Sequence, residues 1–499
     1  MTLNACLPVV TVASSFILGL IIFALPEHRH RLRTTLNLIG AGLKLGLVFW
    51  MLNGVTQGQE YHARYSLIGE LALVFRVDLL ALYFATLSTL LWLLTTIYAV
   101  GYLENGPNRS RFFGFFSLCT SATVGVALAG NVFTFIIFFE LLTLSTYPLI
   151  AHRGTEEARR AAKIYLRYSL AGGACLLFGS VWLYTLTGSL AFKPQGFVST
   201  LPPSDHVALT IIFVLMITGV GVKAALFPLH GWLPKAMVAP APVSSLLHAV
   251  AVVKAGAFGV IRIVYEVYGI EFADALSVTT PLAYLAAFTI IYGSVRALFQ
   301  NDLKKRLAYS TISQISYIIL GVALVGPIAT IGGLVHLIHQ GLMKITLFFC
   351  AGNFAETLGI HDIDELDGVG KRMPWTATAF TVAALALIGI PPLAGFLSKW
   401  YLSLGALELG QPWVLGILIA SSLLNAGYFL PIIHRMWFKS RTGEWQQHRI
   451  WGRHETGLLL LGPTVAAATS VVLVGVFASS SYSPFAWAIE IVAQEFMKR

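Results

Sequence analysis

About fourteen apolar runs long enough to cross a bilayer follow one another along the chain, and this succession restricts what it can fold into more than any other feature. They fall near 8–25, 36–54, 78–100, 112–129, 131–150, 164–187, 207–227, 243–265, 279–299, 307–325, 328–352, 376–399, 413–433 and 457–478. Of the 499 residues, 57% are hydrophobic and only 11% charged, where a soluble domain carries roughly a quarter charged. Helices satisfy their own backbone hydrogen bonds in lipid, so the chain reads as an all-α polytopic membrane protein. The first run has no basic leader and ends in ALPEHRHRLR, so it reads as a retained helix rather than a cleaved signal.

The formal net charge of +10 acts through its location. Basic residues gather in alternate connections: 28–33, 109–111, 153–167, 304–306, 371–372 and 435–453; the connections 52–77, 188–206 and 266–278 are poorer in them. The positive-inside rule then places both termini on the non-cytoplasmic side of a bacterial or archaeal-type inner (cytoplasmic) membrane, in agreement with an even span count. This distribution anchors helices in a bilayer and offers no nucleic-acid surface. Cys6, Cys119, Cys175 and Cys350 stand singly in apolar runs, so no iron–sulfur, haem or zinc site is expected. Asp362, Asp364 and Asp367 lack calcium-loop spacing, which leaves no metal or other cofactor in the reading.

Function is sought among the ionisable residues stranded in hydrocarbon, because a central lysine costs about 2.5–3.5 kcal/mol on insertion scales. The segment KAALFPLHGWLPKAMVAPAPVSSLLHAVAVVK begins at Lys223 and ends at Lys254, each within an apolar run. Pro228, Pro234, Pro240 and Pro242 between them predict a helix, a break and a second helix. Glu140 sits at mid-bilayer depth in the fifth run and is expected to be protonated or paired with a lysine of runs seven or eight. His248 and Lys254 are six residues apart, about 9 Å along a regular helix and bridgeable by water. His336, Gln340 and Lys344 recur at i, i+4 and i+8 as a polar stripe through the eleventh run, with His339 on a neighbouring face.

In the twelfth run Pro391 and Pro392 interrupt the helix, and Lys399 follows near the end of the span. Secondary candidates are Lys304, which also serves as a basic anchor, and Asp78, which reads equally as a helix cap or a group at a channel mouth. GAGLKLG and AGGAC read as small-residue packing segments. Plainer alternatives stand beside several of these: snorkelling for Lys223 and Lys399, and a serine-satisfied core histidine for His248.

KAALFPLHGWLP followed by APAPVSSLLHAVAVVKAG closely resembles the core of the antiporter-like subunits of respiratory complex I, Mrp-type cation/proton antiporters and membrane-bound hydrogenases. FFELLTLSTY around Glu140 and NDLKKRLAYSTISQ around Lys304 resemble further motifs of that family. Known members often carry histidine where Gln340 stands, so His339 takes that role only through a shifted register, and Lys399 matches a terminal lysine that some relatives replace by glutamate.

The resemblance implies helices 1–3 within 1–110, a first repeat of helices 4–8 within 111–268, and an inverted second repeat of helices 9–13 within 277–438. It implies broken helices 7 and 12, and a loop, helix 14 and tail in 439–499. The stretch 479–499 is too short for a long lateral helix, which favours a stand-alone subunit of the Mrp or hydrogenase kind.

The function so implied is proton translocation by a subunit of a larger membrane assembly, with no redox or hydrolytic centre in this chain. H⁺ alone and H⁺ exchanged for Na⁺ both suit a chain of lysines. The opposing reading is a passive scaffold or quinone-binding anchor of a redox complex, whose polar residues are structural. A single-chain sugar or drug transporter would need a roomy polar cavity.

Overall fold

The computed structural model describes residues 3–68, 71–103, 106–441, 443, 445 and 455–496. Helices α1 (Leu3–Phe23) and α2 (His30–Thr56) lead into strands β1 (Tyr61–Ile68) and β2 (Leu71–Val77). Then follow α3 (Leu79–Tyr102), α4 (Arg109–Ala127), α5 (Val132–Ile150), α6 (Glu156–Thr187) and α7 (His206–Lys223). The span α8 (Ala241–Tyr268) comes next. It precedes α9 (Thr279–Leu298), α10 (Leu303–Ala323), α11 (Pro327–Leu358), α12 (Pro374–Ile388), α13 (Ala394–Glu408), α14 (Pro412–Phe438), α15 (Leu458–Val476) and α16 (Pro484–Phe496).

Among the described residues, eleven helices are long and apolar enough to cross a membrane. The other three expected spans correspond to α4, to α10, and to the pair α12 and α13. Two spans, α8 and α11, are buried along the whole of their most apolar window, whereas α2, α6, α14 and α15 are one-third buried. A helix hydrophobic on every side belongs in the middle of a bundle, and these two form the centre of the fold. Outer helices keep apolar side chains exposed, among them Phe178, Val207 and Leu423, as a bilayer requires.

Two details are added to the expectations and two expectations are corrected. The connection 52–77 adds a hairpin to the helical fold: β1 and β2 pair antiparallel, Tyr61 opposite Val77. Tyr61 and Ala63 are buried while His62 and Arg64 are exposed, the period-2 alternation of a half-buried strand. The hairpin is tied to α5, with the Val74 N–H donating to Thr134 Oγ1 at 2.8 Å and Asn131 Nδ2 donating to the Ala72 carbonyl at 2.9 Å.

The twelfth span does not finish at Lys399. It restarts at Ala394 after the proline break and runs to Glu408, so Lys399 lies inside α13. The segment after α15 contains the 13-residue helix α16, docked by Ala488, Ile491 and Val492. Finally, α8 is not regular. Its residues Leu246–Val250 form a π-turn and Ala251 departs to φ −116°, ψ −78°, so the regular-helix spacing of His248 and Lys254 does not hold.

Candidate functional site

The burial of α8 and α11 on every side strands their polar residues. His248, Lys254, His336, His339, Gln340 and Lys344 all have zero exposure. Lys254 Nζ donates to the Leu337 carbonyl of α11 at 2.5 Å. Gln340 keeps both amide atoms buried without a protein partner, and so does Gln314 on α10. His248 stacks on Phe348, ring centroids 4.5 Å apart, with neither ring nitrogen hydrogen-bonded. His339 lies off the stripe formed by its neighbours, and both of its ring nitrogens are buried without a hydrogen-bond partner.

From Lys344 a chain of polar groups leads to Lys399. Lys344 Nζ donates to Ser310 Oγ of α10 at 2.6 Å, and the Tyr428 hydroxyl of α14 reaches the same oxygen at 2.8 Å. Tyr428 also lies 2.5 Å from Asn425 Oδ1, while Asn425 Nδ2 donates to the Leu387 carbonyl at 3.1 Å. Lys399 Nζ donates to that carbonyl, to the Ile388 carbonyl and to Ser422 Oγ, each at 2.9 Å. The break between α12 and α13 exposes those carbonyls, because the last carbonyls of a helix have no partner within it. Beside this chain, His336 Nδ1 is 2.8 Å from Ser398 Oγ, and its ring stacks on Tyr317 at 5.1 Å. The Tyr317 ring in turn lies 5.6 Å from Lys399 Nζ.

Ser310, Ser398, Tyr317, Asn425 and Tyr428 were absent from the sequence reading. A signal existed for two of them: Ser421, Asn425 and Tyr428 fall at i, i+4 and i+7 in an apolar run.

The other half is built around the end of α7. Lys223, its last residue, donates to the Phe139 carbonyl of α5, with Nζ 3.4 Å from the centroid of the Phe139 ring. Of the alternatives for Glu140, the pair with Lys223 is not formed: both carboxylate oxygens are buried without a hydrogen-bond partner in this chain. Successive residues on a helix point about 100° apart, so Phe139 meets α7 while Glu140 turns toward α6. There Gly173 makes room, since a Cβ at that position would come within 2.4 Å of Glu140 Oε1. α8 packs on the break after Lys223 through Gly256, whose added Cβ would meet the Ala224 nitrogen at 2.2 Å. Among the described residues no hydrogen bond joins Lys223 to Lys254.

The secondary candidates lie toward opposite ends of α3. Asp78 caps α3 by accepting from the Ala81 N–H at 2.7 Å and also pairs with Arg76 at 2.8 Å and Arg262 at 2.9 Å. Glu266 closes the group by pairing with Arg76 at 2.7 Å and with Arg262. Burial alone would raise the carboxyl pKa of Asp78, but the guanidinium groups of Arg262 and then Arg76 overcome this and hold it low. A cavity of about 780 Å³ opens here, lined by Glu60, His62, Arg76, Asp78, Glu266 and Glu495. At the other end, Lys304 Nζ donates to the Ala239 carbonyl at 2.5 Å beside a cavity of about 240 Å³ that also holds Arg153, Glu157 and His361. Arg262 and Glu266 are two further buried charges that the sequence reading did not single out. Among the described residues no group of three or more His, Cys, Asp or Glu side chains is placed to hold a metal.

Fold and site together define a multi-pass helical membrane protein with amines and imidazoles buried at the centre of its bundle. Residues 129–447 match the family described as NADH:quinone oxidoreductase/Mrp antiporter, TM, and residues 68–113 match that described as NADH-Ubiquinone oxidoreductase (complex I), chain 5 N-terminus. The NADH-quinone oxidoreductase subunit N of Desulforudis audaxviator is 39% identical over 351 residues, covering 69% of this chain and 68% of that protein. The NAD(P)H-quinone oxidoreductase chain 5 of a Picosynechococcus species is 32% identical, covering 94% and 75%. A subunit of the Mrp complex from a Dietzia species shares the fold at a TM-score of 0.87 and 23% identity, covering 99% of this chain and 98% of that one. The chain belongs to the family of proton-translocating antiporter-like subunits found in complex I, Mrp antiporters and hydrogenases.

Proposed function

We propose that this chain carries protons through the membrane along the row Lys223, Lys254, His336, Lys344 and Lys399, as the ion-translocating subunit of a larger membrane complex. The observation that carries the reading is the hydrogen-bonded network Lys344–Ser310–Tyr428–Asn425, which runs from the buried stripe of α11 to the Leu387 carbonyl that Lys399 also uses. That carbonyl accepts from both sides and passes no proton, so bridging water completes the path to Lys399. An amine can accept and release a proton, and hydroxyl and amide groups set it in line between two amines. The partnerless nitrogens of His248 and the amides of Gln340 and Gln314 add donors and acceptors that bridging water satisfies.

Coupling follows from Coulomb's law. Two unit charges roughly 8 Å apart interact by about 2 kcal/mol at an effective dielectric of 20, which is more than one pKa unit. A proton arriving on one lysine of the row therefore makes any lysine within such a distance a weaker base and promotes release from it, and the converse holds for uptake. Glu140 biases Lys223 through space rather than by direct pairing. The cavities beside Lys304 and beside Asp78 serve as the two water-facing mouths.

The first repeat spans 111–268 and the second, inverted, 277–438. Each holds a lysine at an interrupted helix: Lys223 at the end of α7 and Lys399 after the α12 break. Both termini face the non-cytoplasmic side, with the basic connections inside. Sodium, if exchanged, is carried elsewhere in the complex.

The decisive measurement is proton flux into vesicles bearing the whole complex, with Lys254→Ala, Lys344→Ala or Lys399→Ala in place. Flux is expected to vanish while assembly persists. Unaltered flux in assembled variants overturns the reading and favours a passive scaffold or quinone-binding anchor.

A further inference from the structure

Lys44 lies outside both segments that match the family, 68–113 and 129–447, and outside the relay described above. Its segment GAGLKLG reads in the sequence as small-residue packing, yet the lysine is fully buried. It sits fourteen residues after His30, where the 27-residue helix α2 begins, hence about 21 Å from that end. A lysine side chain reaches about 6 Å, so neither surface is within its grasp. Its Nζ donates to Ser15 Oγ of α1 and lies 5.9 Å from the Trp92 ring of α3.

What surrounds Lys44 is as telling as its depth. Helices α1, α2, α3 and α4 pack on one another and contain no aspartate or glutamate at all. Besides Lys44 their titratable groups are Cys6, Cys119 and the tyrosines of α3, with basic residues confined to 30–33 and 109–111. Arg33 and Asn37 share the inner face of α2 with Lys44, because residues eleven apart on a helix differ by only about 20°. Arg33 donates to Ser110 Oγ at 2.6 Å, and Asn37 Oδ1 lies 3.5 Å from Ser117 Oγ. An ammonium at Lys44 would have one hydroxyl and one aromatic face for stabilisation and no counter-charge in its bundle.

We propose that Lys44 is a proton-binding site separate from the lysines of α7, α8, α11 and α13: an amine kept uncharged at mid-membrane that takes up a proton when compensating charge arrives beside it. As a free base it matches its surroundings; once protonated it places a positive charge in the N-terminal bundle. Its use in transport rests on the proton-translocating reading, but its binding of a proton does not.

The test is a proton inventory of the purified whole complex, titrated between about pH 6 and pH 10, the range in which perturbed lysines change charge. Lys44→Met is expected to assemble and to bind one proton fewer per chain than the unaltered protein, with the pH profile of proton flux displaced. Lys44→Arg, which cannot become neutral, is expected to assemble poorly or lose flux. An unchanged inventory in Lys44→Met, or full function in Lys44→Arg, overturns the proposal. Should Lys44→Met fail to assemble, Ser15→Ala decides: a displaced titration of one proton supports the site and an unmoved one sinks it. Because the inventory is read without transport, absence of flux in the unaltered complex would count against the translocation reading alone.

Discussion

Lys399 of α13 donates to the carbonyl of Leu387 in α12 at 2.9 Å, joining the two halves of one interrupted span. The same ammonium group also serves the Ile388 carbonyl. Replacing it by methionine leaves two helix-terminal carbonyls without their charged donor, each such bond contributing about 1.5–3 kcal/mol. Lys399→Met is therefore expected to abolish proton flux and also to lower the unfolding temperature of the complex. A variant of normal flux and stability would show that the bridge is dispensable.

Tyr428 is the narrowest point of the relay, since its single hydroxyl stands between Ser310 and Asn425. Tyr428→Phe keeps the ring and removes the relay atom. Flux is expected to fall roughly tenfold or more, equivalent to about 1.4 kcal/mol or above, with assembly intact. Tyr98→Phe deletes a buried hydroxyl bonded to the Phe349 carbonyl, away from the relay, and provides the control. Equal flux in the two variants would remove Tyr428 from the path.

Gly256 and Gly46 form a matched pair. Alanine at 256 forces a methyl group to within 2.2 Å of the Ala224 nitrogen, directly beside Lys223, whereas alanine at 46 meets nothing within 4 Å. Overpacking of this kind costs about 1–3 kcal/mol, while an exposed helical Gly→Ala change gains up to about 1 kcal/mol. Thermal unfolding of the purified protein should drop for Gly256→Ala and hold or rise for Gly46→Ala.

Glu495 on α16 faces the cavity that holds Arg76, Asp78 and Glu266. Burial first, then the negative charge of Glu266, push its pKa from an ordinary 4.5 up to about 8, against the opposing pull of Arg262. The docked helix then binds a proton that the released helix does not, between about 4.5 and 8. Docking is fully supported below that interval and loses this support as pH rises through about 8. Hydrogen exchange of the 484–496 amides, corrected for intrinsic rates, should accelerate across that range, and Glu495→Gln should remove the dependence. A pH-independent protection in the unaltered protein would contradict the assignment.

Much of this was legible in the sequence because the bilayer writes itself into hydropathy: the helices and the buried positions of Lys254, His336 and Lys344 follow from apolar runs and helical period. The hairpin was not, because a search tuned to membrane-length runs passes over the alternation of Tyr61, His62 and Ala63. The pairing of Glu140 with Lys223 failed on rotation about the axis of α5, which depth along a helix does not reveal. Ser310, Asn425 and Tyr428 escaped because single hydroxyls and amides in apolar runs are common, and only their convergence from different helices around Lys344 and Lys399 gives them meaning. Lys44 was hidden by the glycines beside it.

The enclosure of α8 and α11 also bears on how this protein could be inhibited. No face of either helix window is open to lipid. A hydrophobic drug dissolved in the bilayer therefore has no lateral route to Lys254 or Lys344. On the proposed reading, a blocker reaches them from water, through the cavities beside Lys304 or Asp78.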